Sequence, residues 1–132
     1  MNAVVDTNVI AYYLLGTPDF ATEVQKFWKQ ADEILAPALW EAEIANTLWM
    51  AVRAQVLTAA EVPEKLSQAS RLGVHSVAVR TLWHGAVMRS LLSKVAVYDT
   101  LFVELADREK LPLITYDKKI LQAYPEVARR PV

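Results

Sequence analysis

The chain has 132 residues, a length that suits a single domain over residues 1–132 with one hydrophobic core. Hydrophobic residues make up 54% and charged residues 22%, which excludes a disordered chain. The net charge of −1 gives no overall attraction to nucleic acid, so a polyanionic ligand needs a local basic patch or a metal ion.

The sequence carries no membrane or export signal. No apolar run approaches the roughly 20 residues of a membrane span. The opening MNAVVD lacks the basic region and long apolar segment of a secretory signal. The absence of cysteine excludes disulfides and thiolate metal ligands, and it suits a reducing compartment. We therefore expect a cytoplasmic protein.

Apolar periodicity, caps and breakers predict alternating strands and helices. In chain order these are a strand at 3–6, helices at 8–15 and 18–31, a strand at 33–37, helices at 39–57 and 58–72, a strand or extended segment at 74–79, a helix at 81–93, a helix with Asp99 in its first turn that ends near Lys110, a strand at 111–115, a helix at 116–124 and a marginal edge strand at 127–132. Thr58 and Glu61 have the spacing of a capping box, and Thr81 is the expected cap of its helix.

This alternation predicts an α/β fold with a central parallel sheet that is covered by helices on both faces. Ligands of such sheets bind beyond the carboxyl ends of the strands. Asp6 and Asp117 stand at or just past the ends of two predicted strands. We therefore expect both carboxylates at the same edge of the sheet.

Four carboxylates stand where predicted strands end or predicted helices begin, namely Asp6, Glu43, Asp99 and Asp117. Several anions gathered at one place repel each other unless a cation neutralises them. Their hard oxygen atoms suit Mg²⁺ or Mn²⁺. The pattern therefore predicts a divalent metal site that could support water attack on a phosphodiester.

Each of these residues also has an ordinary structural explanation. Asp6 could cap the helix that follows it, and Asn8 could serve as that cap or orient Asp6 by a hydrogen bond. Asp99 is favoured by the helix dipole, and Asp117 could simply start its helix. Thr115 is either a normal β-branched strand residue or a hydroxyl that reaches the site. The set indicates a metal site more strongly than any single member does.

The choice between Glu41 and Glu43 depends on helix geometry. Two residues apart on a helix corresponds to a rotation of about 200°, so only one of the two glutamates can face the cluster. Glu41 lies on the side of Ile44, whereas Glu43 lies on the side of Asn46 and Thr47. The polar neighbours favour Glu43 as the ligand and leave Glu41 at a solvent-exposed rim.

Two further features concern binding partners. Lys94 and Lys118 are the basic residues nearest in sequence to the acids and are candidate contacts for an RNA phosphate. The helices predicted within 8–31 and 39–57 carry more aromatic residues than one small core needs. This excess predicts a homodimer.

The motifs VVDTNVIAYYLL, APALWEAEIANTLW and VYDTLFVELADREKLPLITYDKKI resemble the PIN domain, and most closely the VapC-type toxins of prokaryotic toxin–antitoxin pairs. In this resemblance, Asp6 matches the acid after the first strand, Glu43 and Asn46 match a Glu-x-x-Asn helix, and Asp99 and Asp117 match the two later acids. The resemblance implies a three-layer α/β/α sandwich and a metal-dependent endoribonuclease. It also implies a small cognate antitoxin and dimerisation.

Two other functions are compatible with the sequence. One is a non-catalytic PIN-like module that binds RNA or protein and keeps the pocket for a structural ion. The other is a phosphotransfer enzyme with Asp6 as its nucleophile. A haloacid-dehalogenase-like fold would need a second Asp two residues later, and Asn8 stands there instead.

Overall fold

Strands and helices alternate through the computed structural model, which describes residues 1–131. In chain order the elements are β1 (Ala3–Val5), α1 (Thr7–Leu15), α2 (Ala21–Gln30), β2 (Ile34–Pro37), α3 (Leu39–Arg53), α4 (Val62–Arg71), β3 (Val74–Val77), α5 (Trp83–Ser93), α6 (Val97–Glu109), β4 (Leu113–Ile114), α7 (Lys118–Ala123) and β5 (Ala128–Arg129). Short 3₁₀ turns precede α4 and α5.

Within residues 1–131, five strands form one parallel sheet in the order β3-β2-β1-β4-β5. The central strand β1 pairs on both sides, since Val4 stands opposite Leu35 of β2 and Leu113 of β4. All three residues of β1 are buried, as expected for a strand that is covered on both faces. The predicted α/β sandwich around a parallel sheet is therefore confirmed.

The connections place the helices on two faces of the sheet. The chain moves from β1 to β2 to β3 in one direction, then crosses back to β4 and continues to β5. Since parallel crossovers are right-handed, α1 to α4 cover one face and α5 to α7 cover the other. The packing agrees, because α1 contacts α2, α3 and α4 whereas α5 contacts α6 and α6 lies against β1, β2 and β4.

A close approach between α5 and α6 depends on Gly85. The side chain of Glu104 lies where a Cβ atom on Gly85 would stand. Glu104 accepts hydrogen bonds from Arg89 at 3.0 Å and from Arg108 at 2.9 Å. This network ties α5 to α6, and α6 is the helix that carries Asp99.

Several boundaries differ from those predicted by local sequence rules. Helix α3 stops at Arg53, before residue 57, because Gln55 adopts a left-handed φ of 62°. Helix α5 starts after a 3₁₀ turn at Val79–Thr81, and the Thr81 hydroxyl donates to the Ala78 carbonyl, so Thr81 does not cap α5.

Other local predictions are confirmed. Thr58 and Glu61 form the expected capping box before α4. The marginal edge strand is present as the two-residue β5, although Val132, the last residue of the predicted 127–132 segment, lies outside the described residues. Among residues 1–131, none of the helices has the length and apolar content that a membrane crossing requires.

Candidate metal centre at the carboxyl edge of the sheet

The site forms where the strand order reverses. Asp6 directly follows β1, and Asp117 lies three residues beyond β4, the strand that pairs with β1. The connections from these two neighbouring strands leave in opposite directions, which opens a crevice at their carboxyl ends. Ligands of open α/β sheets bind in this place.

Two helices bring the remaining acids to the same edge. Helix α3 begins directly after β2, so its second turn, with Glu43, lies near the carboxyl end of the sheet. Helix α6 precedes β4 and runs against the strand direction, so its first turn also lies at this edge. That first turn carries Asp99.

Asp6 is buried, with an exposed fraction of 7%, and is fixed by surrounding donors. Its Oδ1 atom accepts from the Thr7 backbone N–H at 2.8 Å, and its Oδ2 atom accepts from the Thr115 hydroxyl at 2.7 Å. A longer contact of 3.5 Å joins Asn8 Nδ2 to Oδ2. Asp6 therefore caps α1 and also faces the crevice, so its two proposed roles do not exclude each other.

Glu43 is held by a residue that the sequence argument did not select. The hydroxyl of Thr7 donates to Glu43 Oε1 at 2.7 Å, which connects the first residue of α1 to α3. The only sequence signal for this role is the position of Thr7 directly after Asp6. Glu41 points elsewhere, since it is exposed and accepts from the Ser76 hydroxyl at 2.6 Å.

Asp117 and Asp99 differ in how they are held. Asp117 Oδ1 accepts from the backbone N–H groups of Lys119 at 2.8 Å and Ile120 at 3.2 Å, so Asp117 caps α7. Its own N–H donates to the Thr115 hydroxyl at 3.0 Å. Asp99 makes no side-chain hydrogen bond within residues 1–131, which leaves both of its oxygens free.

The acids act on each other electrostatically. Burial raises the pKa of Asp6 to about 7. The hydrogen bond from the Thr115 hydroxyl opposes this increase, whereas the negative charges of Asp99 and Glu43 add to it. Burial first, and then the charges of Asp117 and Glu43, raise the pKa of Asp99 above its ordinary value. Each of the four carboxylates therefore interacts with at least one other member of the cluster.

Within residues 1–131, the cluster has no basic partner at ion-pair distance. The ion pairs within residues 1–131 involve other acids, such as Glu104 with Arg89. The positive charge of Lys119 lowers the pKa of Asp99 and so opposes the effect of burial and of the neighbouring acids. The sequence pattern pointed to Lys94 and Lys118 and not to Lys119.

The other predicted site residues lie at the periphery. Asn46 is exposed and makes no side-chain hydrogen bond in the described part of the chain. Lys94, in a left-handed conformation at the end of α5, and Lys118, at the start of α7, are both exposed. Their predicted contacts with acids or RNA stay predictions.

The donor chemistry of the site fits a hard divalent cation. The four side chains supply carboxylate oxygens, which are the ligands that Mg²⁺ and Mn²⁺ prefer. Among residues 1–131, no three acidic or histidine side chains already form a complete set of metal ligands. Mg²⁺ retains several waters and needs only one or two direct carboxylates, so a preformed cage is not required.

Comparison with known proteins identifies the family. The sequence model of the PIN domain matches residues 3–126, a range that contains all four acids. The chain belongs to the PIN domain family. Among curated relatives, Ribonuclease VapC3 of Mycobacterium tuberculosis is 30% identical over 122 residues, which cover 92% of this chain and 87% of that protein. Ribonuclease VapC3 of Pyrobaculum aerophilum is 31% identical, with 95% and 96% of the two chains covered.

Solved structures share the fold of this chain. A toxin–antitoxin complex from Klebsiella pneumoniae contains a chain with a TM-score of 0.68, 15% identity and 98% coverage of both chains. A chain of VapBC2 from Rickettsia felis, bound to a DNA fragment from its promoter, has a TM-score of 0.67 and 14% identity, also with 98% of both chains covered. At this level of identity the likeness concerns the fold of this PIN domain.

The buried charge of Asp6 leads to a prediction about the metal-free protein. Its pKa is raised from 3.8 to about 7, so the folded state binds the proton more tightly than the unfolded chain. The stabilisation is therefore complete below pH 3.8 and is lost as the pH rises through about 7. In EDTA, the free energy of unfolding of the wild-type protein should fall between pH 5 and pH 8. We expect this fall to be about 2 kcal/mol larger than the fall for Asp6→Asn.

Urea unfolding at both pH values measures this difference. Asp32→Asn provides the control, because Asp32 is an exposed acid that pairs with the N-terminal amine far from the cluster. An equal pH dependence for wild type and Asp6→Asn would show that Asp6 ionises normally.

Proposed function

We propose that this protein is a metal-dependent endoribonuclease that hydrolyses RNA phosphodiesters and acts as the toxin of a toxin–antitoxin pair. The observation that carries the proposal is the cluster of Asp6, Glu43, Asp99 and Asp117 at the crevice of the sheet, which has no basic partner at ion-pair distance in the described part of the chain. Such a cluster costs stability unless a cation binds to it. The relatives named Ribonuclease VapC3 support RNA as the substrate class.

The roles of the acids follow from their surroundings. Asp6 is held on both oxygens and Asp99 has both oxygens free, so these two would anchor a Mg²⁺ or Mn²⁺ ion. Glu43 and Asp117 each have one oxygen engaged by protein donors and would complete the site directly or through water. A bound ion of this kind would lower the pKa of a coordinated water and stabilise charge on a phosphoryl oxygen.

Contacts with the RNA backbone need positive charge at the rim of the crevice. Lys119 already acts on Asp99, and Lys118 is exposed beside it at the start of α7. We propose that Lys118, Lys119 and Lys94 contact phosphate groups. Arg89 is a poor candidate, because Glu104 and Asp107 both accept its hydrogen bonds.

The proposed partners are a small antitoxin and a second copy of the chain. The structural neighbours come from complexes of toxin with antitoxin, which supports a cognate antitoxin here.

The absence of cysteine and the proposed RNA substrate support a cytoplasmic location.

We propose that the dimer surface lies on α5, whereas the dimer itself was predicted from the aromatic residues of segments 8–31 and 39–57. Leu91 and Leu92 are 71% and 87% exposed, and Trp83, Val87 and Met88 extend the same apolar surface. Trp83, Val87 and Met88 also line an apolar groove of about 580 Å³ between α5 and α6. Exposed apolar surface of this kind is typical of protein interfaces.

An RNA cleavage assay tests the enzymatic proposal. Purified protein with mixed RNA and Mn²⁺ or Mg²⁺ should produce fragments, and EDTA should abolish them. Asp6→Asn and Asp99→Asn should each reduce kcat/KM by at least about 100-fold, because each removes a proposed metal anchor. Gel electrophoresis of the RNA and quantification of initial rates measure this effect.

Glu109→Gln is the matched control, since Glu109 lies on α6 at the end opposite to Asp99 and is exposed. Its activity should equal that of wild type. Cleavage that persists in EDTA or in Asp6→Asn would contradict the metal mechanism. Metal-dependent RNA binding without cleavage would favour the non-catalytic module.

Light scattering after size-exclusion chromatography tests the dimer. Wild type should elute with the mass of two 14.8 kDa chains, whereas Leu91→Glu should elute as a monomer because it places a charge on the apolar surface of α5. Leu66→Glu alters an exposed leucine on α4 and should leave the dimer intact. A monomeric wild type, or a dimeric Leu91→Glu, would refute this interface.

A further inference from the structure

Thr7 contacts two acids of the cluster at once. Its backbone N–H donates to Asp6 Oδ1 at 2.8 Å, and its hydroxyl donates to Glu43 Oε1 at 2.7 Å. The side chain is itself buried, with 7% of its surface exposed. Thr7 therefore joins an acid that follows β1 to an acid on α3.

The two donors of Thr7 differ in whether they depend on the side chain at position 7. The backbone N–H belongs to the cap of α1 and persists whatever side chain stands at position 7. The hydroxyl depends on the side chain and is the one protein donor to the Glu43 carboxylate within residues 1–131. Glu43 has a long side chain on a half-exposed face of α3, so without this donor its carboxylate is free to turn toward solvent.

The hydrogen bond also determines which oxygen of Glu43 is free. Oε1 accepts the Thr7 hydroxyl, whereas Oε2 has no protein donor in the described part of the chain. A ligand whose second oxygen is held by a neighbouring donor has a restricted orientation, and such donors influence metal affinity.

We propose that Thr7 is a positioning residue of the metal centre, whose hydroxyl orients Glu43 so that Oε2 faces the cation that Asp6 and Asp99 anchor. This inference rests on the proposed metal-dependent function. Thr7 does not contact the metal or the RNA in this account. Its effect passes through Glu43.

A purely structural role would give a different result. Helices α1 and α3 already pack together, and the hydroxyl could act only as one more tie between them. In that case its removal would lower stability and leave the metal affinity of the folded protein unchanged. The metal affinity is therefore the measurement that separates the two roles.

Calorimetric titration of the protein with MnCl₂ tests the proposal without an activity assay. Thr7→Val keeps the branched shape and removes the hydroxyl, and it should weaken Mn²⁺ binding by about 10-fold or more, as loss of a donor to a metal ligand does. Thr7→Ser keeps the hydroxyl and should bind within about 3-fold of wild type. In RNA cleavage, Thr7→Val should lower kcat and leave KM unchanged.

Thr47→Val is the matched control. Thr47 lies one turn beyond Glu43 on α3, and its hydroxyl makes no hydrogen bond within residues 1–131. This variant should bind Mn²⁺ like wild type. Asp6→Asn should abolish Mn²⁺ binding. If Asp6→Asn still binds Mn²⁺, the proposed metal site is wrong. If Asp6→Asn loses Mn²⁺ binding but Thr7→Val binds Mn²⁺ with wild-type affinity, only the role of Thr7 is overturned.

A double-mutant cycle identifies the path of the effect. In a Glu43→Gln background, Thr7→Val should cause little further loss of affinity, because the carboxylate that it orients is already absent. Fully additive losses would overturn the proposal. If Thr7→Val and Thr7→Ala both fail to fold while Thr7→Ser folds, the hydroxyl is a folding requirement and the positioning role is likewise refuted.

Discussion

Repulsion among carboxylates at one edge of the sheet is the constraint on which the rest of this structure depends. Asp6 is buried and lies within the electrostatic reach of Asp99 and Glu43, so its ionised form is disfavoured in the metal-free protein. A fold does not keep such a group for stability, since a buried charge without a partner is costly. The cost is consistent with a site whose normal occupant is a cation.

The fold tolerates the cluster because its polar groups serve two purposes. Asp6 and Asp117 each cap a helix, and Thr115 donates to Asp6 while it accepts from the backbone of Asp117. These donors offset part of the repulsion and fix the orientation of both acids. The Gly85 contact has a related effect at a distance, because it allows α5 to pack closely on the helix that presents Asp99.

Sequence predicts those parts of the site that depend on chain order. A carboxylate directly after a buried strand must lie at the carboxyl edge, which places Asp6, and helical rotation separates Glu43 from Glu41, which instead contacts Ser76. The link between Thr7 and Glu43 could not be predicted, because it depends on the distance between two helices that only packing determines. The same applies to the apolar surface of α5, whose sequence resembles that of a buried helix. Thr81 was predicted to cap α5 from local sequence, but it lies in a 3₁₀ turn where its hydroxyl donates to the Ala78 carbonyl instead.

We propose that Asp6, Glu43, Asp99 and Asp117 form a divalent metal site. Anomalous diffraction from crystals soaked in MnCl₂ tests it most directly, because the Mn²⁺ signal locates the ion without reference to activity. We expect a peak in the crevice between β1 and β4, in direct contact with carboxylate oxygens of Asp6 and Asp99. Absence of a peak there at saturating Mn²⁺, or a peak held by other residues, would contradict it.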